Sequence, residues 1–411
     1  MRIITQKTVL GFGYIKAILK WTVLSVIIGF AAGLAGTLFH MSVEWVTHLR
    51  GANTWIIYLM PVAAVFIAFA YSLFKKYGRL DTNRIIEGVN DGSKIPKIIL
   101  PLIFVCASIS HLVGASVGRE GAALQLGGSA AGFVSSAFRL ERRERRIAAM
   151  SGMSAAFAAL FGTPVTAAVF ALEVASVGVM RYTALFPCVL SAYVAFLISG
   201  FLGVEATMFS LPALEINLSE MCLALVLAVV CALLSRVFCS TIHHTEKISK
   251  KYMPNAYIRA LTCSLAVVLL TLVVGTYDYN GAGMHIVEGA LSGGVRPEAF
   301  ALKLIFTSLS IAAGFKGGEI VPAFFVGSTF GCVAASLVGF DASIGAAIGF
   351  VALFCGAVNC PVASLVLALE VFGERYIMLF ALVCALSYML SGKEGLYHSQ
   401  KVLFLKTEIK S

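Results

Sequence analysis

The stretch Gly118-Arg119-Glu120-Gly121, running on to Gly128-Ser129-Ala130-Ala131-Gly132, returns later in the chain as Gly317-Gly318-Glu319-Ile320 and Gly327-Ser328-Thr329-Phe330-Gly331. On this match Glu120 and Glu319 occupy the same place. Upstream, Ile86-Glu87-Gly88 with Gly92 and Pro96 returns as Val287-Glu288-Gly289 with Gly293 and Pro297. Downstream, Pro164-Val165 with Ala171-Leu172-Glu173-Val174 returns as Pro361-Val362 with Ala368-Leu369-Glu370-Val371. Three anchors in the same order and nearly the same register mark an internal duplication, the plan on which many transporters are built.

Composition says where such a duplication lives. Of 411 residues, 13% are charged and 59% hydrophobic, with a mean hydropathy of +0.91. A soluble domain carries about a quarter charged residues, so this chain belongs in a bilayer. Uncharged runs at 21–39, 55–74, 121–138, 182–204, 260–277, 320–340 and 376–392 each approach the roughly 20 residues that span hydrocarbon. Others, such as 304–315, are too short to cross alone. The first run is too long for a signal-peptide core and is read as a retained span.

The net charge of +10 is spread between apolar runs, which excludes a nucleic-acid-binding domain. Arg2, Lys7, Lys16 and Lys20 precede the first span, Lys75, Lys76 and Arg79 follow the second, and Arg139, Arg142, Arg143, Arg145 and Arg146 form a short basic loop. With the tail carrying Lys401, Lys406 and Lys410, these segments are expected on the cytoplasmic side, placing both termini there. The expected organisation is a cytoplasmic segment 1–20, membrane repeats 21–205 and 206–395, and a C-terminal segment 396–411. The ten cysteines lie singly in apolar surroundings, without a C-x-x-C pair, and read as small buried hydrophobes. His243-His244 reads as a polar loop with Glu246, without a third ligand at metal spacing; no metal or cofactor is expected.

Glycine-rich breaks inside apolar runs carry the chemistry. A helix that starts within the membrane presents free N–H groups and a positive dipole end, which together attract an anion. Gly118, Gly121, Gly317 and Gly318 let backbone approach an ion, while Gly128, Gly132, Gly327 and Gly331 let helices pack closely. A carboxylate at such a start is costly and points to function. Glu120 can serve as a tethered anion: ionised it fills the site, protonated it swings away. The alternatives are a helix cap or a pair with Arg119, and for Glu319 neutralisation by Lys316. Glu173 and Glu370 read as structural hydrogen-bonding groups, Glu87 and Glu288 as cap or loop residues.

The run Gly118-Arg119-Glu120-Gly121-Ala122-Ala123-Leu124-Gln125-Leu126-Gly127-Gly128 resembles the G-R-E-G signature of the CLC family of anion channels and transporters. The resemblance extends over nearly the whole chain. It implies an all-α polytopic membrane fold of two inverted repeats whose half-helices meet at the midplane. It further implies a homodimer with one anion pathway per subunit and Glu120 as external gate and proton acceptor, and it leaves no room for cytoplasmic nucleotide-binding domains after the last span. Chloride-type members carry G-x-F-x-P at the second break. Here the chain reads Gly314-Phe315-Lys316-Gly317-Gly318-Glu319-Ile320-Val321-Pro322, which is similar to the fluoride branch, where the residue matching Glu319 takes part in fluoride–proton exchange. Gly395-Leu396-Tyr397 resembles the segment of the pathway tyrosine; the alternative for Tyr397, flanked by Lys393 and Lys401, is an interfacial anchor. Two departures stand out: the segment Leu80-Asp81-Thr82-Asn83-Arg84-Ile85 replaces G-S-G-I-P, with Thr82 and Asn83 expected to line the inner pathway, and Val321 replaces a Thr.

The expected anion site therefore comprises Gly118, Arg119, Gly121, Gly318, Ile320, Val321, Tyr397, Thr82 and Asn83, with Glu120 and Glu319 transferring protons. The function this implies is fluoride/proton antiport across the inner (plasma) membrane, with fluoride, protons and membrane lipid as partners. A chloride/proton exchanger or passive chloride channel is the alternative within the fold. An intramembrane enzyme is disfavoured because H-E-x-x-H and a G-x-S-x-G serine beside a histidine are lacking. A cation carrier is disfavoured because helix N-termini repel cations.

Overall fold

The computed structural model describes residues 2–215, 217–392, 395–403 and 406, with side chains from residue 13 onward. Lys393 and Lys410 lie outside the described residues, as do the side chains of Arg2 and Lys7. Among the described residues the chain forms sixteen α-helices, eight in each half. The first eight are α1 (Arg2–Ala52), α2 (Met60–Leu73), α3 (Thr82–Asp91), α4 (Ile99–Leu112), α5 (Glu120–Ala137), α6 (Arg142–Phe161), α7 (Pro164–Glu173) and α8 (Leu185–Phe201). Their counterparts are α9 (Leu218–Tyr252), α10 (Ala256–Val274), α11 (Met284–Leu291), α12 (Ala299–Ala313), α13 (Ile320–Leu337), α14 (Ala342–Val358), α15 (Pro361–Phe372) and α16 (Ile377–Leu390). Two-residue strands β1 (Ser176–Val177) and β2 (Lys401–Val402) pair in parallel.

Burial separates the helices into two shells. Small residues fill α5, α6, α13 and α14, and most of their side chains are buried. Glycines set the closest crossings: a methyl at Gly127 or Gly152 would strike the other residue's carbonyl, and Gly327 and Gly331 meet Gly349 and Gly345 likewise. Gly128 instead closes on the Ile85 side chain, and Gly132 is less crowded. Outer helices α1, α2, α8 and α10 expose large apolar side chains such as Phe30, Phe69, Leu197 and Leu272, as a lipid-facing surface requires. Among the described residues, six helical segments are long and apolar enough to cross a membrane, including Gly13–Ala52, Leu218–Tyr252 and Ile320–Leu337. The apolar run at 376–392 yields only the 14-residue α16, and that at 121–138 forms an interior helix.

Polar runs misled the sequence reading in three places. His243, His244 and Glu246 continue α9, whose start is fixed by a capping box of Asn217 and Glu220. Arg142 to Arg146 form the first turns of α6. Glu87 and Glu288 lie inside α3 and α11, where a residue's own backbone groups are already satisfied.

Bonds between the halves are reciprocal. Glu173, ending α7, accepts the N–H groups of Val362 (3.3 Å) and Ala363 (2.9 Å) at the start of α15. Glu370 in α15 accepts those of Val165 (3.0 Å) and Thr166 (2.7 Å) at the start of α7. Ser110 Oγ accepts from Lys316 N and Ser310 Oγ from Ser116 N, both at 3.0 Å. Exchanged partners of this kind are the mark of a two-fold relation. Each carboxylate also satisfies N–H groups that a helix start leaves open.

Candidate functional site

The two Gly-rich breaks meet. Gly118 N donates to Gly318 O (2.6 Å) and Gly318 N to Gly118 O (2.9 Å), an antiparallel pair just ahead of α5 and α13. Glycine is required by the closeness of this crossing. A methyl on Gly317 would sit 2.6 Å from Gly118 O and 2.7 Å from the Val117 side chain, and one on Gly318 would sit 2.5 Å from Gly121 N. Two helix N-termini, each carrying roughly half a positive charge, thus face one volume.

Glu120 is the first residue of α5 and is fully buried. Its carboxylate folds back over the crossing: a methyl on Gly318 would lie 2.8 Å from Oε2, and one on Gly118 would collide with the same oxygen. It lies near the Val321 N–H of the opposite helix, yet neither oxygen completes a hydrogen bond of normal geometry. The side chain therefore occupies a site suited to an anion without being locked into it.

Arg119 does not form an ion pair with Glu120; its Nη1 meets His40 Nδ1 at 3.2 Å. Lys316 does not neutralise Glu319, because its Nζ lies over the Tyr71 ring, 4.1 Å from the centroid. Glu319 itself is partly buried, with no ion pair or hydrogen bond from its side chain among the described residues.

The structure also corrects the register of the repeat. Gly118 pairs with Gly318, and α5 and α13 begin two hundred residues apart at Glu120 and Ile320. Glu319 is the N-cap of α13, the position that Arg119 holds before α5. The two carboxylates are neighbours at one crossing and not symmetry mates. Ile320 and Val321 are fully buried in the first turn of α13.

Tyr397 is 4% exposed and its hydroxyl has no partner, which removes the interfacial-anchor alternative. It lines a cavity of about 730 Å³ with His243, Glu246, Lys250 and His398. Both repeats hold the segment carrying it. Leu396 N donates to Ala357 O (2.9 Å), and Gln400 Nε2 donates to Val174 O and Val358 O, both at 2.8 Å. Asn83 Oδ1 accepts from Ser399 N (3.0 Å) and Glu87 Oε1 from Ser399 Oγ (3.0 Å). Asn83 thus fixes the turn after Tyr397. Thr82 Oγ1 donates to Gly121 O (3.2 Å) and accepts from Gln125 Nε2 (3.1 Å), so its hydroxyl is committed to α5.

A second cavity, of about 500 Å³, reaches Arg119 with His40, Arg50 and His111 in its wall. Sequence reasoning passed over Arg50, which sits in the last turn of α1 among other polar residues, and His111, near the end of the largely apolar α4. Among the described residues no group of three His, Cys, Asp or Glu side chains could hold a metal ion.

The sequence pattern described as "Voltage gated chloride channel" matches residues 63–392. A chloride/fluoride channel protein of Pseudomonas syringae pv. tomato is 36% identical over 393 residues, covering 94% of this chain and 87% of its own length. The H(+)/Cl(-) exchange transporter ClcA of Salmonella paratyphi B is 24% identical, over 90% and 85% of the two chains. Among solved structures, a CLC-type fluoride/proton antiporter superposes with a TM-score of 0.88 at 30% identity, covering 94% of this chain and 98% of its own. A slow cyanobacterial Cl-/H+ antiporter reaches 0.75 at 18% identity and speaks to the fold alone. The chain belongs to the voltage gated chloride channel family and has its CLC-type, inverted-repeat membrane fold.

Proposed function

We propose that this family member exports fluoride from the cytoplasm in exchange for protons. The observation that carries the reading is Glu319, a second carboxylate without a cation partner, placed as the N-cap of α13 beside Glu120 at the glycine crossing. Likeness to the CLC-type fluoride/proton antiporter and to the chloride/fluoride channel protein supports fluoride as the ion.

Ionised Glu120 competes with a free anion for the same two helix starts. Protonation removes that attraction, and the side chain leaves the crossing toward the cavity at Arg119. An anion entering from the Tyr397 cavity then takes its place, held by the free N–H groups around Gly121, Ile320 and Val321 and by the Tyr397 hydroxyl. Glu319 accepts the proton from Glu120 and passes it toward the Tyr397 cavity. Fluoride holds water strongly, so a pathway for it must supply dense hydrogen-bond donors in exchange. Val321 offers only its backbone N–H, which places that demand on Tyr397 and the helix starts. Asn83 acts by holding the Tyr397 turn, and Thr82 by holding α5.

In this reading residues 21–205 and 206–395 are the two functional repeats, two subunits associate in the plasma membrane, and the basic helix ends lie in the cytoplasm. A chloride/proton exchanger is the second reading, favoured by the likeness to ClcA.

The test is anion efflux from liposomes, comparing fluoride with chloride and recording external pH in the same trace. Fluoride release with matched proton uptake is expected. Chloride release at an equal or greater rate would favour the second reading and leave Glu319 a structural role, and anion release without proton movement would make the protein a passive channel.

A further inference from the structure

A corner that the second repeat closes is left open in the first. Gly345 lets α14 close on α13 beside Ala335, where a methyl would collide with the alanine, and Gly339 turns the chain between those helices at φ 71°. Two hundred residues earlier the same places hold Arg145, Ser135 and Arg139. The corner there is a cavity of about 310 Å³, with Lys94, Ser135, Arg139 and Arg145 in its wall and no acidic side chain. Arg139 turns the chain at φ 51°, and among the described residues only Asn359, a residue type suited to that conformation, joins it as a non-glycine at positive φ. A basic residue anywhere in this link would satisfy the charge bias of a membrane surface. An arginine at the strained position needs a reason of its own.

The donors around this cavity are open. Arg139 and Lys94 have no ion pair or side-chain hydrogen bond among the described residues. Arg145 spends Nε on Gly92 O (2.9 Å) and Nη1 on Leu140 O (3.0 Å), which leaves Nη2. Ser135, only 6% exposed, lines the cavity, and its hydroxyl has no partner among the described residues. Nearby acids are engaged elsewhere: Glu144 pairs with Lys20 and accepts the Glu141 N–H (3.1 Å), and Asp91 Oδ1 accepts from Ser93 N (2.7 Å). We propose that the cavity binds the phosphate diester of an anionic phospholipid. Two guanidinium groups, an ammonium and a hydroxyl are a donor set that phosphate oxygens match. A wall of three cations without an acid repels the ammonium of a zwitterionic headgroup, which favours an anionic one. On α5 the lining residues Gly132, Ser135, Ser136 and Arg139 form one helical face, and Phe133 and Phe138, both about half exposed, flank it. Those rings offer acyl chains a surface that a free phosphate would not use. A lipid seated here joins the end of α5 to the start of α6 and to the link between α3 and α4.

The test is native mass spectrometry of the full-length protein in detergent, titrated with phosphatidylglycerol or with phosphatidylcholine, and with inorganic phosphate added as a competitor. Half-saturation by phosphatidylglycerol is expected at a concentration about tenfold below that for phosphatidylcholine. Arg139→Gly installs the residue that the second repeat uses at this turn, so the variant should be at least as stable as the wild type. Its half-saturating concentration of phosphatidylglycerol should nevertheless rise about tenfold, as the loss of one good contact predicts. Arg143→Ala removes an exposed charge from the first turn of α6, outside the cavity wall, and should leave that concentration unchanged. Equal binding of the two lipids, or an equal loss in both variants, would reduce the effect to general surface charge and overturn the site. Unchanged affinity in Arg139→Gly would overturn it as well. Displacement of the lipid by inorganic phosphate at a similar concentration would overturn the lipid assignment in favour of a free-phosphate site. None of these outcomes depends on which anion the protein carries.

Discussion

Of the glutamate pairs in the repeated pattern, two are treated by the structure in opposite ways. Glu173 and Glu370 are symmetry mates, and each closes the helix start of the other half through two backbone N–H groups. Glu120 and Glu319 match only by residue type. One opens α5, the other precedes α13, and neither has a completed side-chain hydrogen bond among the described residues. Repetition of a carboxylate therefore says little about its task. What separates the pairs is whether the lone pairs are satisfied, since a saturated carboxylate is fixed in place and an unsaturated one can release and rebind a proton or yield to an anion.

The strongest way to break this contrast is Glu120→Gln. The amide cannot titrate, so proton movement in the liposome trace should vanish while anion permeation continues; proton uptake at the wild-type ratio would remove Glu120 from the mechanism. Next comes Glu319→Ala, for which fluoride turnover should fall by about tenfold or more, equivalent to ~1.4 kcal/mol of barrier. Unchanged turnover would put Glu319 in the same class as Glu173.

Glu370→Gln probes the satisfied pair. One acceptor oxygen is lost from a partly buried, charge-assisted cap, and stability should drop by about 1–3 kcal/mol. A lowered thermal midpoint with the proton-to-anion ratio intact is the expected result, and an altered ratio would show that the cap also serves transport. The smallest effect is expected from Tyr397→Phe, which should weaken apparent anion affinity by roughly fivefold, about 1 kcal/mol for one neutral hydrogen bond. Equal affinity in that variant would mean that backbone N–H groups alone hold the ion.

Much of this was legible in the sequence because it is local. Glycine at Gly118, Gly121, Gly317 and Gly318 announces close backbone approach, and uncharged runs announce spans. The family resemblance supplied Tyr397, which no pattern in the C-terminal segment alone would have singled out. The register of the second break was misread because matching glutamate to glutamate gives the better alignment by residue type. Helix starts obey backbone geometry instead, and they put Ile320 opposite Glu120. His243 and His244 were assigned to a loop because they are polar, yet a helix that leaves the membrane needs no apolar face to continue. The surroundings of Asn83 and His111 were hidden for another reason. Asn83 meets Ser399 and His111 meets the cavity beside Arg50, contacts between residues far apart in the chain.

The mutual bonds of Gly118 and Gly318 bear on ancestry. A pairing in which each residue offers the other the same two groups works equally well between separate half-length polypeptides, so a gene encoding one half could have made the crossing by self-association. In such an ancestor every mutation appears on both sides at once. Joining the copies in tandem lifts that restriction, and the N-cap positions record the freedom gained: a base, Arg119, before one helix and an acid, Glu319, before the other.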